Sequence, residues 1–543
     1  MEIKKYISLK NTFLGIIFLI QINYILQIGL TYDIGGLRYG AGLSIKRGLN
    51  FLNLTEFNLP TFNEAEYFGM ILLIPAYLFG HSSNIIIGDF LMKTNFFFNE
   101  DQIIFSFMFI FLNIYLIFCF NLIFNFFKVK FSKEFAWVFL VFLFLFPSFM
   151  GQALFNIKDT PFCLQIFIST IYYLNFIEKL AHQEKYETSE FKKDIIKIII
   201  LFSSVLLIRL NGIVFLLFLC LFGLLYLLKS RLDTVGFFKI NFIIFIFSFI
   251  NLFLFSPSSW SNPIIWLTNT FKHQFFHRWP GTTLTNGRFV SAQDVDPFYL
   301  LEWSFYRFPI IFQLLFILFI YFKIKNFKNT LFYNYSIYFI FTIHLSFIIF
   351  RPTAYDGLRQ YIFLIPFLVF VCVENLIQLE KIFNKKNILL FFSIVYLITS
   401  QVSLGPYRYL YFNEFVDEKN ISIDCINSID GCGDWLTDYS GISGKRLIYN
   451  FDFGEESTNL LVCRPEHVFE KYVENENVNV FWSNNINSFD TFFVSTLHWP
   501  RNTGDSCNFH LEEEKYNCNV VYKETAKLRF SEITLSYMNI CNN

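Results

Sequence analysis

Eleven long apolar stretches are separated by gaps of two alternating kinds, and this alternation restricts the chain to a bundle of membrane-crossing helices. Gaps of the first kind are rich in lysine and otherwise plain: 128 to 133 (KVKFSK), 178 to 197, 229 to 239, 323 to 328 (KIKNFK) and 378 to 386. The N-terminal MEIKK has the same character. An excess of Lys and Arg marks cytoplasmic loops. The second kind comprises 31 to 101, 151 to 159, 209 to 212, 257 to 308, 351 to 358 and everything after about 404, and it collects Asp, Arg, His, Trp, Pro and Gly. These gaps then lie on the opposite side. Side chains able to do chemistry share one membrane face, which predicts one site there.

The predicted spans are about 12 to 30, 102 to 127, 134 to 150, 160 to 177, 195 to 209, 211 to 228, 238 to 256, 309 to 322, 331 to 350, 359 to 377 and 387 to 404. The first reads as a span rather than a signal peptide, because no small-residue cleavage site follows it. Residues 67 to 92 are apolar enough to cross, but a crossing there would exchange the sides of every later gap. They are therefore expected to form helices along the membrane surface. Beyond 404 the apolar runs shorten to strand length, as in VNVFW (478 to 482) and TFFVST (491 to 496). The expected fold is mainly α: a polytopic membrane protein with about 11 transmembrane helices over 1–404 and a small mixed α/β external domain over 405–543. Within the membrane part, 31–101 is the first external loop, with its surface-lying helices, and 257–308 is a large external loop.

Four cysteines (Cys119, Cys163, Cys220, Cys372) fall in apolar segments and six (Cys425, Cys432, Cys463, Cys507, Cys518, Cys541) beyond 404. An even number in an extracytoplasmic tail predicts disulfides of unspecified pairing. With 43 basic and 43 acidic residues the net charge is zero, so no global field argues for nucleic acid as a partner.

Within the external gaps, Asp33 follows the first span in TYDIGGLRYGAG. A carboxylate so near hydrocarbon is costly unless used or paired, and it reads either as a general base or as a helix cap or partner of Arg38. In GQALFNIKDTPF, Lys158 precedes Asp159, Thr160 and Pro161 at a helix start. Asp159 and Thr160 suit capping, whereas a cation beside a helix N-terminus is unfavourable unless an anion such as phosphate answers both. Arg209 stands between apolar stretches in LLIRLNGIV, as an anion ligand or a snorkelling side chain. Arg351 and Arg359 flank a Tyr-Asp-Gly turn containing Asp356 in RPTAYDGLRQY, and two guanidinium forks there suit an anion clamp, or an Asp356-bridged pair. The 257–308 gap holds Trp260, Trp266, Trp279 and Trp303, which suit an interfacial aromatic belt. Its His273 and His277 have the i, i+4 spacing of metal ligands, but without a Glu-x-x-His context hydrogen bonding is the simpler reading.

In order along the chain, these gaps resemble the GT-C glycosyltransferases. The acid after the first span, the surface segment, Asn-x-Lys-Asp-x-Pro-Phe, Arg-x-x-Gly, the Pro/Trp loop and Tyr-Asp-Gly-x-Arg are the residues that carry the likeness. The chain most resembles the bacterial branch related to protein O-mannosyltransferases and aminoarabinose (lipid A) transferases, and PYRYLYFNEF (406 to 415) and DWLTDYSGIS (434 to 443) extend it to about 450. The resemblance implies an inverting transferase that takes a hexosyl or pentosyl sugar from a polyprenyl-phosphate donor. The acceptor would be a protein, lipid or glycan at the external face of a bacterial inner membrane, with the N-terminus cytoplasmic and the C-terminal domain periplasmic. It implies Asp33 as general base and Lys158, Arg209, Arg351 and Arg359 as ligands of the donor phosphate. Many relatives carry Asp-Glu where this chain has Asp33 and Ile34. The missing second acid leaves open whether a divalent metal takes part and whether Glu64, Glu66 or Asp159 substitutes. The competing expectation is a transporter or flippase for a lipid-linked saccharide.

Overall fold

In the computed structural model the described residues are 9–60, 62, 64–67, 69–94, 99–181, 188–229, 234–276, 278–325, 330–383, 387–421, 433–482, 490–497 and 516–542. Each of the eleven apolar stretches carries a helix. In chain order these are α1 (Leu9–Gln27), α2 (Ile34–Phe51), α3 (Met70–Met92), α4 (Glu100–Lys130), α5 (Lys133–Phe144), α6 (Pro147–Gln152), α7 (Asp159–Ala181), α8 (Thr188–Ile208) and α9 (Gly212–Lys229). They continue with α10 (Thr234–Leu254), α11 (Pro263–Phe276), α12 (Tyr299–Arg307), α13 (Ile310–Ile324), α14 (Leu331–Phe350), α15 (Ile365–Phe383) and α16 (Ile388–Thr399). Among the described residues seven helices are long and apolar enough to cross a bilayer, and up to nine if each bent pair is one span. The chain is an integral, polytopic membrane protein.

Prolines set the breaks. Phe146, pushed to an extended conformation by Pro147, separates α5 from α6. Pro309 likewise separates α12 from α13, which meet at 116°. Helix ends beside two of the lysine-rich gaps meet: Lys130 pairs with Glu178 at 2.5 Å, and Lys179 with Asp194 at 2.8 Å.

Residues 70 to 92 form one helix rather than several. It packs along α4, where Gly80 is required because a Cβ there would lie 2.5 Å from the Ile104 carbonyl oxygen. Gly69 donates its N–H to the Ile208 carbonyl at the end of α8 (2.9 Å), and the far end of α3 lies beside the start of α4, with Gly88 near Ile103. The two ends of α3 thus contact the end of α8 and the first turn of α4, and α3 is one of the seven helices long and apolar enough to cross a bilayer.

Past 404 come a 3-10 segment (Val402–Leu410), the short helices α17 (Gly444–Asn450) and α18 (His467–Glu470), and a mixed sheet. A two-stranded hairpin, β1 (Thr282–Thr285) with β2 (Arg288–Ser291), belongs to the large loop. The sheet strands are β3 (Thr458–Val462), β4 (Val478–Phe481), β5 (Thr491–Leu497), β6 (Asn517–Leu528) and β7 (Ser531–Asn542), in the order β4-β3-β5-β7-β6. Neighbours of β3 run parallel and those of β7 antiparallel. Cys518 and Cys541 form a disulfide between paired strands, and Cys463 is also disulfide-bonded. Cys425, Cys432 and Cys507 lie outside the described residues. The four cysteines of the apolar segments are free and buried.

Candidate functional site

The loop carrying Asp33 is held from the far end of the chain. Gly29 donates its N–H to the Ile442 carbonyl (2.8 Å), Leu30 to the Tyr472 hydroxyl (2.7 Å) and Tyr32 to the Ser440 carbonyl (2.9 Å). His467 meets the Thr31 carbonyl at 3.0 Å. Asp33 precedes α2 but makes no capping hydrogen bond to it, and Arg38 pairs instead with Asp101 at 2.5 Å. Neither bland reading of Asp33 describes the structure. Its carboxylate accepts from Arg359 Nη2 and, at 3.1 Å, from Lys158 Nζ.

Lys158 and Asp159 reach the same place because α6 ends at a tight crossing. A Cβ on Gly151 would collide with the Tyr409 backbone nitrogen, so that helix lies directly on the 402–410 segment. The start of α7 is capped by Asn156, whose Oδ1 accepts from the Asp159 N–H at 2.9 Å. The Asp159 carboxylate, relieved of capping, pairs with Arg209 at the end of α8 and with Arg359 Nε at 3.4 Å. Asp356, in the left-handed region at φ 57°, pairs with Arg359 Nη1 at 2.9 Å. Arg359 therefore stands at the centre of three carboxylates. Asp33, Asp159 and Asp356 against Lys158, Arg209 and Arg359 make a cluster whose formal charges cancel.

Burial alone would raise the Asp33 carboxyl, but the Arg359 and Lys158 charges reverse that and hold it far below the usual carboxylate range. For Asp356 burial prevails over the opposing Arg359 charge and pushes the carboxyl up to about 6. Burial draws Lys158 below its ordinary value, with Asp33 acting against it.

All six groups line a cavity of about 750 Å³, within the range of small-molecule sites. Its lining also includes apolar side chains, Val214 and Phe215 from α9 and Ile343, Phe347 and Phe350 from α14. Glu64 and His273 also line it, whereas Glu66 is buried elsewhere, bonded to Arg47 (2.6 Å) and Ser258 (2.7 Å). The structure does not bring Arg351 into the cavity; it is an exposed residue ending α14 in a left-handed conformation. His277 lies outside the described residues. Among the described residues no group of three or more His, Cys, Asp or Glu side chains is placed to hold a metal ion.

The four tryptophans of the large loop divide. Trp266 and Trp303 are buried, Trp260 packs edge-on against Phe51 at its surface, and Trp279 lines the cavity. Sequence reasoning did not place Tyr355, Leu436 or Tyr439 in the lining. Tyr439, its hydroxyl bonded to Gln152, arrives from beyond the last span. The DWLTDYSGIS segment contained its only signal.

The chain matches no family model and no curated protein. Among solved structures it is similar to the Archaeoglobus fulgidus oligosaccharyltransferase in complex with Zn and sulfate, at 13% identity and a TM-score of 0.36. The alignment covers 82% of this chain and 59% of that one.

Proposed function

We propose that this protein is a membrane glycosyltransferase that moves a sugar from a polyprenyl-phosphate donor to an acceptor hydroxyl, with inversion. The supporting observation is the balanced cluster of three carboxylates and three cations in one cavity with apolar lining from α9 and α14. A lipid phosphate needs both environments. Its headgroup would bind Lys158, Arg209 and Arg359, and its prenyl chain would follow the wall formed by α9 and α14. Arg351 has no part in that set.

The acceptor oxygen attacks the anomeric carbon as Asp33 takes the hydroxyl proton. A new carbon–oxygen bond forms, the bond from the anomeric carbon to phosphate breaks, and its electron pair leaves on the phosphate oxygen. Negative charge grows on that oxygen, and fixed cations in a water-poor site lower the barrier. In the resting cluster Asp33 is ionised but restrained by Arg359. Phosphate competing for Arg359 would free the carboxylate to act as base. Asp159 is the acid that supplements Asp33 where Ile34 replaces the second carboxylate.

The site's face is assigned to the periplasm of a bacterial inner membrane, with the lysine-rich gaps and N-terminus cytoplasmic and residues 405–543 external. The test is transfer from polyprenyl-phosphate sugars by the protein in lipid nanodiscs. Asp33→Asn is expected to remain folded and lose transfer, and full turnover by that variant removes Asp33 from the mechanism. Sugar crossing a sealed vesicle with no glycosidic bond formed would replace the proposal with a transporter.

A further inference from the structure

The charged cluster provides partners for a phosphate and a proton, but no apolar surface for the face of the sugar ring between them. On the wall next to it, Trp279 and Tyr355 pair with ring centroids 4.4 Å apart and planes 39° apart, and both rings line the cavity. The pair is fixed by backbone rather than by chance contact. Ala292 donates its N–H to the Gly281 carbonyl (2.9 Å), Ala354 donates to the Ala292 carbonyl (3.0 Å), and Gln293 holds the Trp279 carbonyl at 3.3 Å. These bonds tie the two loops that carry the rings. Gly281 lets the Trp279 indole lie against the backbone, since a Cβ there would collide with that ring as placed.

Tyr355 is followed at once by Asp356, so the aromatic wall ends where the ion pairs begin. Gln360 lines the same cavity, and its side chain makes no hydrogen bond to another described residue. An aromatic face carries negative potential and attracts polarised hydrogens laid against it. Sites of this size combine such apolar surface with a few polar groups that fix orientation. A pyranose ring has both characters: a face of C–H bonds and a rim of hydroxyls.

We propose that Trp279 and Tyr355 form the subsite for the donor's hexopyranose ring, stacking its C–H face while Gln360 and Asp356 meet its hydroxyls. This rests on the glycosyltransferase reading and adds to it the residues that discriminate a sugar-bearing donor from a bare lipid phosphate.

The test is calorimetric titration of the full-length protein in detergent with farnesyl phosphate and with farnesyl phosphate carrying glucose, mannose or galactose. At least one hexose is expected to strengthen wild-type binding over farnesyl phosphate. Trp279→Ala should reduce that gain by about tenfold and leave farnesyl phosphate binding unchanged, while Trp279→Phe retains most of it. Equal loss for both ligands would mean that Trp279 only supports the fold, and no gain from any hexose would overturn the subsite. A free methyl hexoside that binds through Trp279 on top of farnesyl phosphate would assign the subsite to the acceptor instead. Failure of wild type to bind farnesyl phosphate at all would be a different result, counting against the lipid-phosphate function itself.

Discussion

Arg359 illustrates how a single side chain can be named from sequence yet understood only in place. Beside Tyr-Asp-Gly it looked like half of a clamp with Arg351, whereas it bonds Asp33, Asp159 and Asp356 at once. Asp33, Lys158, Asp159, Arg209 and Asp356 were legible because polar residues bordering hydrocarbon are rare and costly. Trp279, Tyr355 and Tyr439 were not, because aromatic residues are common throughout the chain and carry no such signal. Asp159 is nearly buried and answers two guanidinium groups. Asp159→Ala should therefore destabilise the protein by about 3–5 kcal/mol, the usual cost of leaving buried charge uncompensated, read as a fall in unfolding temperature in detergent. Asp159→Leu combined with Arg209→Met should recover part of it. Asp356 predicts a pH effect of definite sign. The folded state keeps its proton up to about 6 while the unfolded carboxyl loses it near 3.8, so stability falls as pH rises between those values. Asp33 has the opposite sign, its contribution being complete above the normal carboxylate range and lost only at pH below it. Thermal unfolding from pH 4 to 7 should show a decline in wild type that Asp356→Asn removes.

The helices themselves follow from hydropathy and proline placement. Hydropathy alone does not convey how α3, one of the seven helices long and apolar enough to cross a bilayer, packs against its neighbours. Its first end contacts the end of α8, a packing partner distant in sequence, and its far end contacts the start of α4, the next helix in the chain. Gly80 permits that packing, and Gly151 permits the crossing of α6 on the 402–410 segment that delivers Lys158 and Asp159. Gly151→Ala should cost about 1–3 kcal/mol through overpacking. It should also impair transfer more than its stability loss explains, because the Asn156 cap and both charged residues follow directly. Assays at a temperature where wild type and variant are equally folded separate the two effects.

At the scale of the bundle, residues beyond 404 reach back into the site. Leu436 and Tyr439 line the cavity, and Ser440, Ile442, His467 and Tyr472 hold the Asp33 loop. Removing residues 434 to 543 should abolish transfer even if the helices still insert, which membrane fractionation alongside an activity assay would show. Opening the Cys518–Cys541 link, 23 residues apart, should weaken the sheet by about 3 kcal/mol, seen as faster amide exchange in β6 and β7 on reduction. Single cysteines placed at Val129 and Arg351 should be labelled from opposite sides of sealed vesicles, while labelling from one side would separate the charged gaps and dissolve the site. The periodic placement of apolar runs was sufficient to establish a membrane bundle, because the bilayer penalises each polar residue one at a time. Which acid meets which cation, and which distant segment closes the cavity, depends on contacts between helices far apart in the chain. Those are decided by close packing, to which no local stretch of sequence is a guide.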